Sequence, residues 1–180
     1  MKKFILLILF LSLPSYAAAT AVNPNSIDVN GIEFYLETDK LVYDLTEDAN
    51  ILFRVTNLTA NTVDMGLANP PYCYHFSIAD IGDIEVWRWP RAVPGLPPDP
   101  YLLDPYEFHE FEIIWPLVND NETASTHDDF PVDPGIYNIS ALLGTMDFIS
   151  PPLTVSLEII PEPATLLLLS LGGLALRKRK

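Results

Sequence analysis

Between residues 31 and 160 apolar and polar positions alternate with a period of two, repeatedly. Ile32, Phe34 and Leu36 interleave with Glu33, Tyr35 and Glu37, and Ile51, Phe53 and Val55 with Leu52, Arg54 and Thr56. Tyr74, Phe76 and Ile78 form another inward set, and Ile84 and Val86 alternate with Glu85, Trp87 and Trp89. Later, Tyr137, Ile139 and Ala141 alternate with Asn138 and Ser140, and Leu153, Val155, Leu157 and Ile159 with Thr154, Ser156 and Glu158. Such alternation sets one face of a strand on a core and the other in water. The stretch 106–115 is less regular, because Phe108 shares a face with Glu110 and Glu112, which predicts a bulge or a place at a sheet edge. Turn-forming clusters at 48–50, 59–61, 80–83 and 133–135 separate the runs, and no 3.6-residue period intervenes. Seven or eight antiparallel strands without helices predict an all-β, immunoglobulin-like β-sandwich.

Two segments break the alternation. Residues 90–105, PRAVPGLPPDPYLLDP, are dense in proline, which fixes φ and removes donors, so a stiff extended loop rather than a ladder strand is expected. Residues 118–129, VNDNETASTHDD, read as a polar, acidic, flexible loop.

The two ends read differently. Lys2 and Lys3 precede the apolar run 4–13, then come Pro14-Ser15 and the small residues Ala17, Ala18 and Ala19. This is the grammar of a signal peptide, expected as a short helix at 1–21 and cut by signal peptidase at the motif of Ala17 and Ala19. At the other end Pro161, Glu162 and Pro163 precede an apolar run, 164–176, and the cations Arg177, Lys178, Arg179 and Lys180. Thirteen residues of helix span about 20 Å, short of a hydrocarbon core of about 30 Å, so this hydrophobic helix is expected to hold the membrane only transiently. Residues 22–160 are left as the folded domain.

Charge narrows the function classes. The chain has 24 acidic and 10 basic residues. Within 22–160 only Lys40, Arg54, Arg88 and Arg91 are basic, against every acid but Glu162, or four cations against 23 anions, net −19. Such a surface repels phosphate backbones, so no nucleic-acid partner is expected. The single cysteine, Cys73, rules out an internal disulfide, and with His75 it supplies only half a metal site, so no metal and no cofactor are expected. Ser125, Thr126, His127 and Asp128 are adjacent, but triad members converge from separate elements, and no G-x-S-x-G, H-E-x-x-H or P-loop occurs; no catalytic residue and no enzyme are expected. Asn119, Asp120, Asn121, Glu122, Asp128 and Asp129 are oxygen donors without the spacing of a calcium loop, so a solvated acidic loop is expected. The sequons at Asn57, Asn121 and Asn138 are read as chance.

Two resemblances add to this. The stretch DKLVYDLTEDANILFRVTNLTANTVDMGL, then EVWRWP, FEIIW and VDPGIYNISALL, resembles the intracellular proteinase inhibitor (BsuPI) domain over residues 32–143. That resemblance implies an immunoglobulin-like sandwich, although the proline-rich segment stands where the family carries a short turn and an aromatic strand. The C-terminal tripartite segment resembles the PEP-CTERM protein-sorting signal. It implies processing by an exosortase, with Pro161, Glu162 and Pro163 as the recognition element, and delivery to the cell envelope or exopolysaccharide. The expected function is that of an exported, non-catalytic envelope or matrix protein binding exopolysaccharide or protein. The alternative is a protease inhibitor offering segment 90–105 to a protease, with Arg91 at the cleavage position. Trp87, Arg88, Trp89 and Arg91 are the candidate partner-binding residues.

Overall fold

The computed structural model describes residues 24–70, 72–90, 97–119 and 130–161. The expected signal helix with Ala17 and Ala19, the residue Arg91, the acidic loop 120–129 and the sorting segment from Glu162 through Lys180 lie outside the described residues.

Thirteen strands follow in order: β1 (Asn25–Val29), β2 (Ile32–Thr38), β3 (Val42–Asp44), β4 (Ala49–Asn57), β5 (Val63–Ala68), β6 (Tyr74–Asp80), β7 (Glu85–Trp89), β8 (Asp99–Leu103), β9 (Phe108–Trp115), β10 (Val118–Asn119), β11 (Phe130–Pro131), β12 (Gly135–Leu143) and β13 (Leu153–Ile160). One sheet has the order β1-β2-β4-β9 and the other β3-β13-β12-β6-β7. They face each other as a β-sandwich, antiparallel throughout except where β3 lies parallel to β13. Two short ladders, β5-β8 and β10-β11, lie outside the two main sheets. The fold is the all-β, immunoglobulin-like sandwich expected from the alternation.

The inward sets fall where the period of two puts them. Phe34, Leu36, Ile51, Phe53 and Val55 of one sheet are buried against Phe76, Ile78, Ile139, Val155 and Leu157 of the other. Rings give this core its shape, with Phe53 edge-on to Tyr74 and to Phe76 at 6.0 and 6.1 Å. Trp115 is fully buried, packs edge-on to Tyr137 at 5.5 Å and donates its indole N–H to the Val118 carbonyl at 3.0 Å.

Asn57 is also fully buried at the end of β4. Its Nδ2 donates to the carbonyls of Asn61, Leu103 and Asp104, and its Oδ1 accepts from the Thr59 backbone N–H and hydroxyl. The amide is wholly engaged inside the fold, so the sequon at Asn57 carries no accessible acceptor, in line with its reading as chance.

Two expectations are corrected and one open alternative is decided. First, the proline-rich segment is not free of ladder pairing. Asp99–Leu103 forms β8 against β5, and Tyr101 and Leu103 are buried. Pro100 pairs with Leu67 next to a register shift between Asp64 and Leu67, in a two-stranded ladder where each strand is an edge, the kind of place that accommodates proline. Second, of the bulge or edge position expected for 106–115 the edge holds: β9 is the outer strand of its sheet and is regular along its whole pairing with β4. Third, β7 departs from its expected alternation: Val86 is buried as expected, but so is Trp87, and Trp89 is half-buried. A bulge between Ile78 and Ala79 makes Val86 an extra residue, so Trp87 pairs with Ile78 and Trp89 with Phe76, both facing inward. Ile84 is left exposed in the preceding turn.

Candidate functional site

The bulge in β7 decides where the candidate partner-binding residues go. β7 is the outer strand of the five-stranded sheet and β9 the outer strand of the four-stranded one. Their inward side chains meet at an open edge of the sandwich. Trp87, Trp89, Phe111, Glu112, Ile113 and Ile114 line a cleft of about 440 Å³ there, mostly apolar. Trp87 is buried at its base, while Trp89 and Phe111 are half-buried along its wall.

The wall is a run of rings. Trp89 stacks on Tyr72 at 6.4 Å and on Phe111 at 6.3 Å; Phe111 lies flat on Tyr74 at 4.9 Å. The run continues to Tyr101, whose hydroxyl lies 2.8 Å from that of Tyr74 and whose ring meets His109 edge-on at 5.2 Å. Burial pushes the Tyr74 phenol up to about 12, so it remains a neutral hydrogen-bonding group. One polar atom of the wall is unmet among the described residues: the Trp89 indole N–H is shielded from solvent and has no acceptor there. Arg88 points the other way, exposed on the outer face, and pairs with Glu85 at 2.5 Å. Thus the structure brings Trp87 and Trp89 together in one cleft and separates Arg88 from them.

Sequence reasoning missed Phe111 and Tyr72 as members of this wall. The run FEIIW places Phe111 on an inward face with Ile113, but nothing local says that β9 lies across an open edge from β7.

The other candidates take ordinary structural places. Cys73 is buried just before β6, and burial pushes its thiol up to about 11. His75 is half-buried beside Gly144, and burial lowers its pKa. Among the described residues, no group of three His, Cys, Asp or Glu side chains is placed to hold a metal ion. No helix among them is long and apolar enough to cross a membrane.

The exit from the domain is equally well defined. β13 runs to Ile160, and Pro161 follows directly. Ile160 pairs with Asp44 of β3, and Ile159 pairs with Gly135 of β12. Residues 160–180 match the PEP-CTERM protein-sorting motif. The chain therefore carries the sorting signal of an exported, envelope-associated protein processed by an exosortase. Its first matched residue is also the last residue of the sheet.

No curated protein matches the chain. Among solved structures it is similar to the C-terminal domain of Wzt, at 11% identity and a TM-score of 0.41, over 76% of this chain and 78% of that one. It is also similar to the CARDB domain of a Pyrococcus furiosus protein in complex with di-metal ions, at 14% identity and a TM-score of 0.35, over 78% and 92% of the two chains. A β-glucosidase from Listeria innocua is similar at 9% identity and a TM-score of 0.38, over 78% of this chain and 16% of that one.

Proposed function

We propose that this chain is a non-catalytic binding protein of the cell envelope or extracellular matrix, delivered by its sorting signal and using the Trp87–Trp89 cleft to hold a partner. The observation that supports the reading most is the cleft itself. An open-edged apolar groove walled by stacked rings offers stacking area for a flat apolar partner face. Exopolysaccharide fits that feature, since sugar rings present apolar faces for stacking. An acidic domain favours neutral over anionic polymers.

Protease inhibition through segment 90–105 finds less support. An inhibitory loop must be offered free, whereas Asp99–Leu103 is paired with β5 and anchored by Tyr101 and Leu103. The resemblance to BsuPI domains accords with the sandwich and adds no inhibitory residue.

Trp89→Ala and Phe111→Ala should each weaken binding to purified exopolysaccharide by about tenfold or more, as expected from losing roughly 1.5–3 kcal/mol of ring contact. Binding that is unchanged in both variants would remove the cleft as the site. Replacement of Pro161, Glu162 and Pro163 by alanine should leave the protein retained in the membrane fraction with an intact tail; normal processing of that variant would sink the sorting reading.

A further inference from the structure

The end of the sandwich from which the sorting segment departs has a feature that the sorting function does not by itself require. Across the outer face of the five-stranded sheet, Val42 of β3 pairs with Glu158 of β13, and Glu158 pairs with Ile136 of β12. Tyr137, the next residue of β12, pairs with Asp80, and Ile81 follows in the turn. Val42, Ile136 and Ile81 are 44%, 51% and 75% exposed, and Ile84 of the same turn and Ile160 are exposed beside them. With neighbouring strands about 4.8 Å apart, Ile136, Ile81 and Ile84 form an apolar patch at a single end of the sheet, and the exposed Glu158 stands in the same row between Ile136 and Val42.

The tether fixes what can lie near this patch. Only Pro161, Glu162 and Pro163 separate Ile160 from the apolar run 164–176. Three residues reach at most about 10 Å. Ile160 is held by β3, Ile159 is buried, and the Glu158 amide donates to the Leu41 carbonyl at 2.9 Å, so the end of β13 gives no further slack. Whenever the apolar run is inserted in a bilayer, a tether of about 10 Å keeps this end of the sheet within reach of the lipid surface.

We propose that this patch is a membrane-contact surface that seats the domain on a bilayer of neutral headgroups while the C-terminal segment is in place. The inference rests on the sorting reading above. Asp44, Asp80, Asp83, Asp133 and Glu158 lie at the same end, and their charge disfavours an anionic lipid surface. The exposed isoleucines bury apolar area in the interfacial region without crossing it.

The test uses the full chain, C-terminal segment included, reconstituted in phosphatidylcholine vesicles containing brominated lipid. In a Cys73→Ala background, a fluorophore is placed by Ile81→Cys, by Ile136→Cys, or by Leu58→Cys at the far end of β4, about 30 Å away along a nine-residue strand. Labels at 81 and 136 should lose most of their emission and the label at 58 should keep it, with the loss diminished when the vesicles carry anionic lipid. Alkaline carbonate extraction in parallel reports whether the tail is inserted. Inserted chains with no quenching at 81 and 136, or with quenching only in anionic vesicles, overturn the proposal alone. Chains that are extracted overturn the anchoring reading and the proposal with it. Absence of quenching together with slowed processing of an Ile81→Ser, Ile136→Ser chain in cells assigns the patch to the processing enzyme instead.

Discussion

Tyr43→Phe removes one oxygen from a fully buried side chain, and the structure says what that oxygen holds. Tyr43 sits in the middle of β3, its hydroxyl donating to Asp39 Oδ1 at 2.6 Å and accepting from the Lys40 backbone N–H at 3.1 Å. Asp39 also receives the Asn50 backbone N–H at 3.0 Å and the Asn50 side chain at 3.1 Å, so the phenol is one arm of a clamp joining β3 to the start of β4. Phenylalanine fills the same space and opens no cavity, so the loss is that of the hydrogen bonds. A hydrogen bond to a charged acceptor contributes about 1.5–3 kcal/mol, and Asp39 retains its bonds from Asn50, which points to a loss of about 2 kcal/mol. For a domain of this size that lowers Tm by about 6–10 °C, with an unchanged denaturant m-value.

The pH dependence provides a second check. Burial acts upward on Asp39, but the hydrogen bonds from Tyr43 and Asn50 together outweigh it and hold the carboxyl below its ordinary range. A carboxyl depressed in the folded state contributes stability above its unfolded pKa of about 3.9 and loses it as pH falls through the folded value. The gap between wild type and Tyr43→Phe is therefore widest near neutrality and narrows below about pH 4. Urea melts at pH 7 and at pH 3.5, with hydrogen exchange at the Glu158 amide, read all of this. A loss under about 0.5 kcal/mol at pH 7, or a gap that does not change with pH, would refute the clamp.

Asn57→Ala should cost about 3 kcal/mol or more by urea melt, because it orphans the Leu103 and Asp104 carbonyls and the Thr59 N–H in a buried corner. A loss below 1 kcal/mol would mean that water replaces the amide. Cys73, buried with its thiol raised to about 11, should react with a thiol reagent only as fast as the domain opens, and its rate should rise steeply with urea. His75, whose pKa burial lowers, binds its proton less readily folded than unfolded, so stability should decline as pH falls below about 6.5. His75→Gln should remove that part of the decline in melts between pH 7 and pH 5.

How far the fold was legible depends on what each residue knows of its surroundings. All six of the alternating runs are strands, because one wet and one dry face imprint a period of two directly. The short strands left no such imprint: β3, β10 and β11 have two or three residues each, too few for a period. β1 went unread, although Asn30-Gly31, which takes φ of 56° and 82° in the turn to β2, is the mark of a hairpin that would have pointed to it. Pro100 argued against a strand, yet whether a missing donor matters depends on the partner strand, which no local reading contains. For the cleft, Trp87 and Trp89 stood out as aromatic residues, but their inward aim comes from one extra residue, Val86, in the register with β6. A bulge is a property of two strands, and Phe111 joined the wall only through long-range placement.

The position of β13 also sets a timetable. It is the last strand among the described residues but lies inside its sheet, between β3 and β12, so the early β3 has no described sheet partner until this late strand arrives. A chain threaded outward from its N-terminus cannot close this sandwich until Ile160 has crossed. By then the next few residues to enter are the sorting tripeptide and the apolar run behind it. The last residue of the sheet and the first residue of the sorting motif are thus one and the same, so completion of the fold and entry of the motif fall within a few residues of each other.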